Sequence, residues 1–198
     1  MSGVALWKAA AFAVPFITLV VGGSYLVAYL VTVLMGLPPS LGFPLAVRGV
    51  GGALVLLGLA VAGWVFSYRS PAAMMVSTYI TLRKLVRGTA VEERSGRAEP
   101  LVVEGLQKYT RNPLYFGILV SVFGWGVVTA STCILVWSAA LALWFGVILI
   151  PFEERELRAL FGKQYEEYAV AVPMIVPFVR RRKRRTSKEA QSGGASQT

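Results

Sequence analysis

The residues most able to do chemistry lie in two short runs. "KYTRNPLYFG", Lys108 to Gly117, sets Arg111, Asn112, Pro113 and Tyr115 directly before an apolar stretch. "EERE" sets Glu153 and Glu154 directly after another. Pro113 suits the first turn of a helix, where its missing N–H costs nothing, and Asn112 is then the expected N-cap. Free N–H groups and the helix dipole make such an end positive, and Arg111 adds a full charge. Two glutamates alongside would supply the opposite pole. The set suits a zwitterion, with a carboxylate toward Arg111 and an ammonium or sulfonium toward the acids. A plainer alternative stays open: an interfacial Arg111–Glu153 ion pair, with Glu154 and Arg158 as an i,i+4 pair worth a few tenths of a kcal/mol. Tyr115 would then be an interface aromatic like Tyr68 and Tyr109.

What the chain lacks narrows the chemistry further. It contains no histidine and no aspartate. That excludes Ser-His-Asp and Cys-His catalysis, histidine zinc sites and two-aspartate proteolysis. One cysteine, Cys133, allows neither an intrachain disulfide nor a cysteine metal cluster. Its apolar setting marks it as a small packed residue. Trp125, Trp137 and Trp144 read as packing or interface residues. No metal site is expected. Catalysis would rest on glutamate, arginine, asparagine, tyrosine, backbone groups or a bound cofactor.

The elements that must position these residues are membrane helices. Of the 198 residues, 56% are hydrophobic and only 15% charged, against about a quarter charged in a soluble domain. Four apolar stretches stand out, about Ala9–Met35, Leu45–Tyr68, Leu114–Ala130 and Ile134–Phe152. Each is read as a span, for which about 20 residues suffice. The third is short, about 25 Å at about 1.5 Å per residue. The opening "MSGVALWKAAAFAVPF" enters the first stretch without a small-x-small exit, so this helix is expected to remain. Gly36–Pro44 carries the prolines and glycines of a turn. "TAST", Thr129–Thr132, leaves room only for an antiparallel hairpin. The expected fold is all-α and polytopic, with about four transmembrane helices and cytoplasmic or interfacial helices in the C-terminal catalytic half.

Basic residues orient the bundle. Lys8, the stretch from Arg69 to Arg111 and everything from Arg155 onward fall on one side. The other side has Arg48, near enough to the interface to snorkel. That bias predicts a multi-pass membrane protein with both termini in the cytoplasm. Much of the net charge of +10 sits in "RRRKRR", Arg180 to Arg185. Such a run suits anionic lipid heads, at about 1 kcal/mol per basic residue, and nucleic acid is not an expected partner. Pro71–Gly88 reads as an interfacial helix or as a restarted continuation of the second helix. Thr89–Pro100 is polar and able to close over a ligand. The charged helix after the fourth span is expected to bend at Gly162 and end by Pro173 and Pro177. The organisation is then a two-span region over 1–88, a catalytic region over 89–179 and a basic, disordered tail over 180–198. Because the mouths of the hairpin lie together, Arg111 and Asn112 must approach Glu153 and Glu154.

These runs resemble a superfamily of integral-membrane enzymes, the isoprenylcysteine carboxyl methyltransferases and phospholipid methyltransferases. The family pattern is Arg-His/Asn-Pro-x-Tyr-x-Gly, then Glu-Glu-x-x-Leu, then Phe-Gly-x-x-Tyr-x-x-Tyr and a Val-Pro ending. Here it falls on Arg111, Asn112, Pro113, Tyr115 and Gly117; on Glu153, Glu154 and Leu157; and on Phe161, Gly162, Tyr165, Tyr168, Val172 and Pro173. The resemblance covers about Glu99 to Pro177 and implies S-adenosylmethionine as methyl donor, with S-adenosylhomocysteine as product. It implies cofactor contacts from Glu99, Pro100, Leu101, Val102, Gln107, Arg111, Asn112, Pro113, Leu114, Tyr115, Glu153 and Glu154. Arg111, Tyr115 and Glu153 are the residues nearest the chemistry. Gln107 stands where the family often has an aromatic. Leu149 stands where the eukaryotic prenylcysteine enzymes carry an arginine that faces the substrate.

The expected activity is methyl transfer to a hydrophobic acceptor reached from the bilayer, a prenylcysteine carboxylate or a lipid. A small-thiol S-methyltransferase and a non-catalytic membrane scaffold that keeps the pocket are the alternatives. The missing histidine and aspartate fit such a reaction. An ionised carboxylate or thiolate needs alignment and loss of water more than it needs a base.

Overall fold

The computed structural model describes residues 6–74, 76, 79, 101 and 103–177. Helix α1 spans Leu6–Leu34 and α2 spans Leu45–Tyr68. A 3-10 turn, Gly105–Lys108, precedes α3, Pro113–Thr129. Helix α4, Thr132–Trp144, runs through a π turn, Phe145–Leu149, into α5, Ile150–Phe161, and α6 spans Lys163–Ala171. Among the described residues the only extended pairing is an isolated bridge between Ser40 and Ser131. Ile17–Leu34, Leu45–Tyr68 and the continuous Thr132–Phe161 are long and apolar enough to cross a membrane, and Pro113–Thr129 is a shorter apolar helix. Leu19, Leu26, Leu56 and Leu143 are exposed along these helices, as lipid-facing positions should be. This is a polytopic, all-α membrane architecture.

Short links fix the up-and-down order. The turn after α1 lies against the α3–α4 link: Leu41 N donates to Ala130 O at 2.9 Å, and Thr132 Oγ1 donates to Pro38 O. Ala130 takes a left-handed φ of 51°, and Ser131 caps α4. Both turns therefore sit at one end of the bundle. The far ends of α2 and α4 and the start of α3 meet at the other end. Helix α1 is held to α4 by Trp137, whose Nε1 donates to Ser24 Oγ at 2.9 Å. The Tyr25 ring meets Trp137 edge-on at 5.5 Å.

Glycines bring α2 and α3 into backbone contact. A Cβ at Gly51 would lie 2.9 Å from Gly124 O, and one at Gly117 would lie 2.9 Å from Gly58 O. The two pairings lie two helical turns apart on each helix, so the antiparallel helices touch along one stripe. Without side chains in the way, α2 lies against α3 for most of its length.

The hairpin's second arm differs from its expected form. A span ending at Phe152 and a separate charged helix were expected; the helix instead continues unbroken to Phe161. Pro151 cannot donate to the fourth residue back and would clash with that carbonyl. The π turn removes the conflict. Ile150 N reaches Phe145 O, five residues back, and the wider turn accommodates the proline. Gly162, at φ 51°, then breaks the helix as expected. Residues 71–74 resume helix after Ser70. The rest of the 71–88 segment apart from Val76 and Tyr79, the 89–100 loop and the basic tail lie outside the described residues.

Substitutions on the glycine stripe should separate cleanly from those off it. Gly58→Leu should destabilise the protein in detergent by about 1–3 kcal/mol or more, the scale of overpacking. Gly63→Ala, where a Cβ would meet nothing within 4 Å, should leave the thermal midpoint unchanged or raise it.

Candidate active site

The end of the bundle opposite the two turns holds a cleft. Val65, Arg69 and Met74 come from the end of α2 and just beyond it, and Gln107 comes from the 3-10 turn. Arg111, Asn112, Pro113, Leu114 and Tyr115 come from the start of α3, and Glu153 comes from the first turn of α5. The empty space is about 510 Å3, counting the part open to solvent. Pro113 occupies the first helical turn of α3, so the chain enters that helix directly from Arg111.

Arg111 is the electrostatic centre. Its Nη1 lies 2.8 Å from Glu154 Oε1, with the two side chains only 6% and 8% exposed. The contact is an ion pair off the line of a good hydrogen bond. Nη1 and Glu154 Oε1 are thus each other's charge partners, while Arg111 Nε is buried with no hydrogen-bond partner. Glu154 Oε2 also meets Arg158 Nη2 at 3.2 Å, the i,i+4 pair expected from spacing. The expected Arg111–Glu153 pair is thus an Arg111–Glu154 pair. Successive residues on a helix point about 100° apart, and α5 turns Glu154 inward. Glu153 instead accepts a hydrogen bond from the Tyr115 hydroxyl at 2.9 Å. The Tyr115 ring leans on Phe145 of the π turn, 4.8 Å between centroids.

Asn112 stands at the N-cap position but its side chain caps nothing. Its Nδ2 donates to Met174 O at 2.9 Å. The amide N–H goes to a carbonyl remote in sequence, and Oδ1 takes none of the local N–H groups. Beneath the arginine lies Tyr165, 1% exposed, with the Arg158 guanidinium 5.9 Å from its ring centroid. Burial pushes the Tyr165 phenol above its usual range; the Glu154 charge adds to the shift and Arg111 opposes it. Burial also pushes Tyr168 up, its neighbour Tyr165 adding to the effect. The Tyr168 hydroxyl donates to Gln107 O at 2.7 Å.

Of the candidates read from the sequence, Gln107, Arg111, Asn112, Pro113, Leu114, Tyr115 and Glu153 line this cleft. Leu101 and Glu154 are not among its lining residues; Glu154 stands behind Arg111. Glu99, Pro100 and Val102 lie outside the described residues. Sequence reasoning did not foresee Val65, Arg69 and Met74. Their signal was topological: α2 ends on the face where α3 begins. Gln107 is buried, and its Oε1 has no hydrogen-bond partner. Among the described residues no group of acids and cysteines could hold a metal.

The sequence pattern of the phospholipid methyltransferase family matches residues 50–164, more than half of the chain. The chain belongs to that family. The match begins inside α2, so the family region includes a helix that carried no recognisable motif. Family relatives include protein-S-isoprenylcysteine O-methyltransferase B of Arabidopsis thaliana, 34% identical over 52% of this chain and 57% of the relative. Methanethiol S-methyltransferase 2 of Bradyrhizobium diazoefficiens is 33% identical over 66% of this chain and 49% of the relative. Methanethiol S-methyltransferase of Mycobacterium tuberculosis is 26% identical over 68% and 53%. The chain thus spans about half the length of these relatives. No solved structure matches it.

Two outcomes test this picture of the family site. Arg111→Ala leaves the buried Glu154 with only the half-exposed Arg158 as counter-charge and should cost up to roughly 3–5 kcal/mol in detergent unfolding. Arg158→Ala removes a cation 46% exposed and should cost under about 1 kcal/mol. The second outcome is alkaline. The fold favours the neutral Tyr168 phenol, so its contribution is complete below about pH 10, the ordinary tyrosine value, and fades as pH climbs through the raised folded value. Thermal midpoints should therefore fall above about pH 10, and Tyr168→Phe should flatten that decline.

Proposed function

We propose that the chain is an integral-membrane methyltransferase that takes its methyl group from S-adenosylmethionine. The acceptor is a hydrophobic molecule reached from the bilayer, a prenylcysteine carboxylate or a lipid. The observation that carries this reading is the buried Arg111, paired with Glu154 through Nη1 and with no hydrogen bond at Nε. It stands in the wall of a cleft that also holds Glu153. A buried cation and an acid on one cleft are the two poles a zwitterionic donor needs. Family membership supports the reaction class.

The residues fit that donor. Arg111 would take the carboxylate of its amino-acid end, and Gln107 Oε1, buried without a partner, would accept an N–H. Glu153 would face its cationic part, its carboxylate held by the Tyr115 hydroxyl. Asn112, Pro113 and Leu114 complete the wall. When bound, S-adenosylmethionine supplies a methyl group on a sulfonium, open to in-line displacement. Val65, Met74, Pro113 and Leu114 give the cleft apolar lining that excludes water from an incoming acceptor. The basic bias of the loops orients the site toward the cytoplasm.

A small thiol is the second reading. The relatives named methanethiol S-methyltransferases align over 65–68% of this chain, those named for isoprenylcysteine over 40–52%. Leu149 offers no charge to an acceptor carboxylate. A labelled-methyl assay decides, run side by side on a farnesylated cysteine analogue, extracted membrane lipid and small thiols. Transfer to the prenylated or lipid acceptor is expected, with Tyr115→Phe lowering kcat/KM by about tenfold to a hundredfold, the scale of a hydrogen bond to a charged group. Folded wild-type protein that binds no S-adenosylmethionine in calorimetry would overturn the reading. Binding without turnover on any acceptor would leave a non-catalytic protein.

A further inference from the structure

Three consecutive residues before α3 reach three consecutive carbonyls beyond α6. Thr110 Oγ1 donates to Ile175 O at 2.7 Å. Arg111 N donates to Pro173 O at 2.9 Å. Asn112 Nδ2 donates to Met174 O at 2.9 Å. Residues 172–177 form a strap with no helix or strand of their own. Their carbonyls thus have no ladder to satisfy them and need partners elsewhere. Thr110 is 2% exposed and Val172 8%, and the side-chain bonds from Thr110 and Asn112 to the strap are partly buried.

The strap bears on the one backbone segment whose placement matters most to the cleft. Arg111 has its N–H tied to the strap and its guanidinium against Glu154. A shift of that backbone would move the guanidinium relative to Glu153 and Gln107. Asn112 contributes the junction's side-chain amide and makes no side-chain cap on α3.

We propose that Asn112 is a positioning residue: through Met174 it holds the 172–177 strap on the loop and so fixes Arg111 in the cleft wall. The proposal rests on the reading that Arg111 binds the carboxylate end of the methyl donor. Asn112 also lines the cleft, so direct contact with a ligand is the rival role.

Asp and His separate the two roles. Aspartate keeps the shape of asparagine but, ionised, has no N–H to give and would face Met174 O with a lone pair. Histidine carries Nδ1 at the same number of bonds from Cα as the amide nitrogen and can donate from it. The purified protein in detergent is followed by hydrogen-exchange mass spectrometry without ligand. Calorimetry with S-adenosylhomocysteine runs in parallel. In Asn112→Asp, peptides covering 108–115 and 172–177 should exchange at least about tenfold faster, as for a locally opened contact, with α2 peptides unchanged. Affinity for S-adenosylhomocysteine should fall about tenfold, the scale of one lost hydrogen bond. Asn112→His should restore both. Weaker binding with unchanged exchange would make Asn112 a direct ligand contact and overturn the proposal. Unchanged exchange with unchanged binding would overturn it as well, as would failure of Asn112→His to restore exchange. If wild type binds no S-adenosylhomocysteine while Asn112→Asp still frees both peptides, the donor reading fails and the strap remains.

Discussion

A guanidinium only 6% exposed at the end of an apolar bundle is the constraint on which the rest depends. A charge so placed must meet an opposite charge in good geometry or it unfolds its surroundings. Arg111 meets Glu154, and that contact, with Tyr115 on Glu153, ties the start of α3 to α5. Closing the pair requires the α3–α4 link to be tight, which Ala130 and Ser131 allow. It also requires α5 to continue α4 without a break, so that Glu154 arrives at the right height. The π turn at Phe145–Leu149 is what lets Pro151 sit in that continuous helix. The same turn sets Phe145 against Tyr115. One local widening of a helix thus serves both the buried pair and the acid beside the cleft.

The second constraint is steric. Helices in a membrane gain little from apolar contact alone and associate through close packing. Backbone approach at Gly51–Gly124 and Gly58–Gly117 supplies it between α2 and α3. Because the helices are antiparallel, this approach delivers the end of α2 to the face where α3 begins. Val65 and Arg69 reach the cleft for that reason. A helix with no polar motif becomes a wall of the site through its glycines.

The spans, the tight hairpin, the break at Gly162 and the convergence of the two hairpin mouths were legible from periodicity, short links and proline and glycine positions. Three features were not. The stripe on α2 was hidden because glycine is abundant throughout: Gly49, Gly52 and Gly63 on the same helix face open space, and spacing alone does not say which glycines meet a neighbour. The fate of Asn112 was hidden because a local capping rule competes with a carbonyl sixty-two positions away in sequence, which only the fold brings close. The partner of Arg111 was the third: the i,i+4 neighbour of Glu154 is the half-exposed Arg158 and that of Glu153 is Leu157, so spacing on the helix does not mark Glu154 as the acid turned inward.

The difference between Glu153 and Glu154 bears on how the cleft treats charge. Were both acids turned to the cleft, two like charges would stand together and one would tend to take up a proton. The helix instead divides them. Glu154 is buried between Arg111 and Arg158. Glu153 stands at the cleft wall with a tyrosine hydroxyl as donor. Arg111 is paired with Glu154 through Nη1, and its Nε has no hydrogen-bond partner. The cleft wall thus carries Arg69, Arg111 and Glu153, with Arg111 held by Glu154 and Glu153 by Tyr115. A chain without histidine or aspartate has few ways to move protons, and the proposed donor asks of its site complementary charge rather than proton transfer.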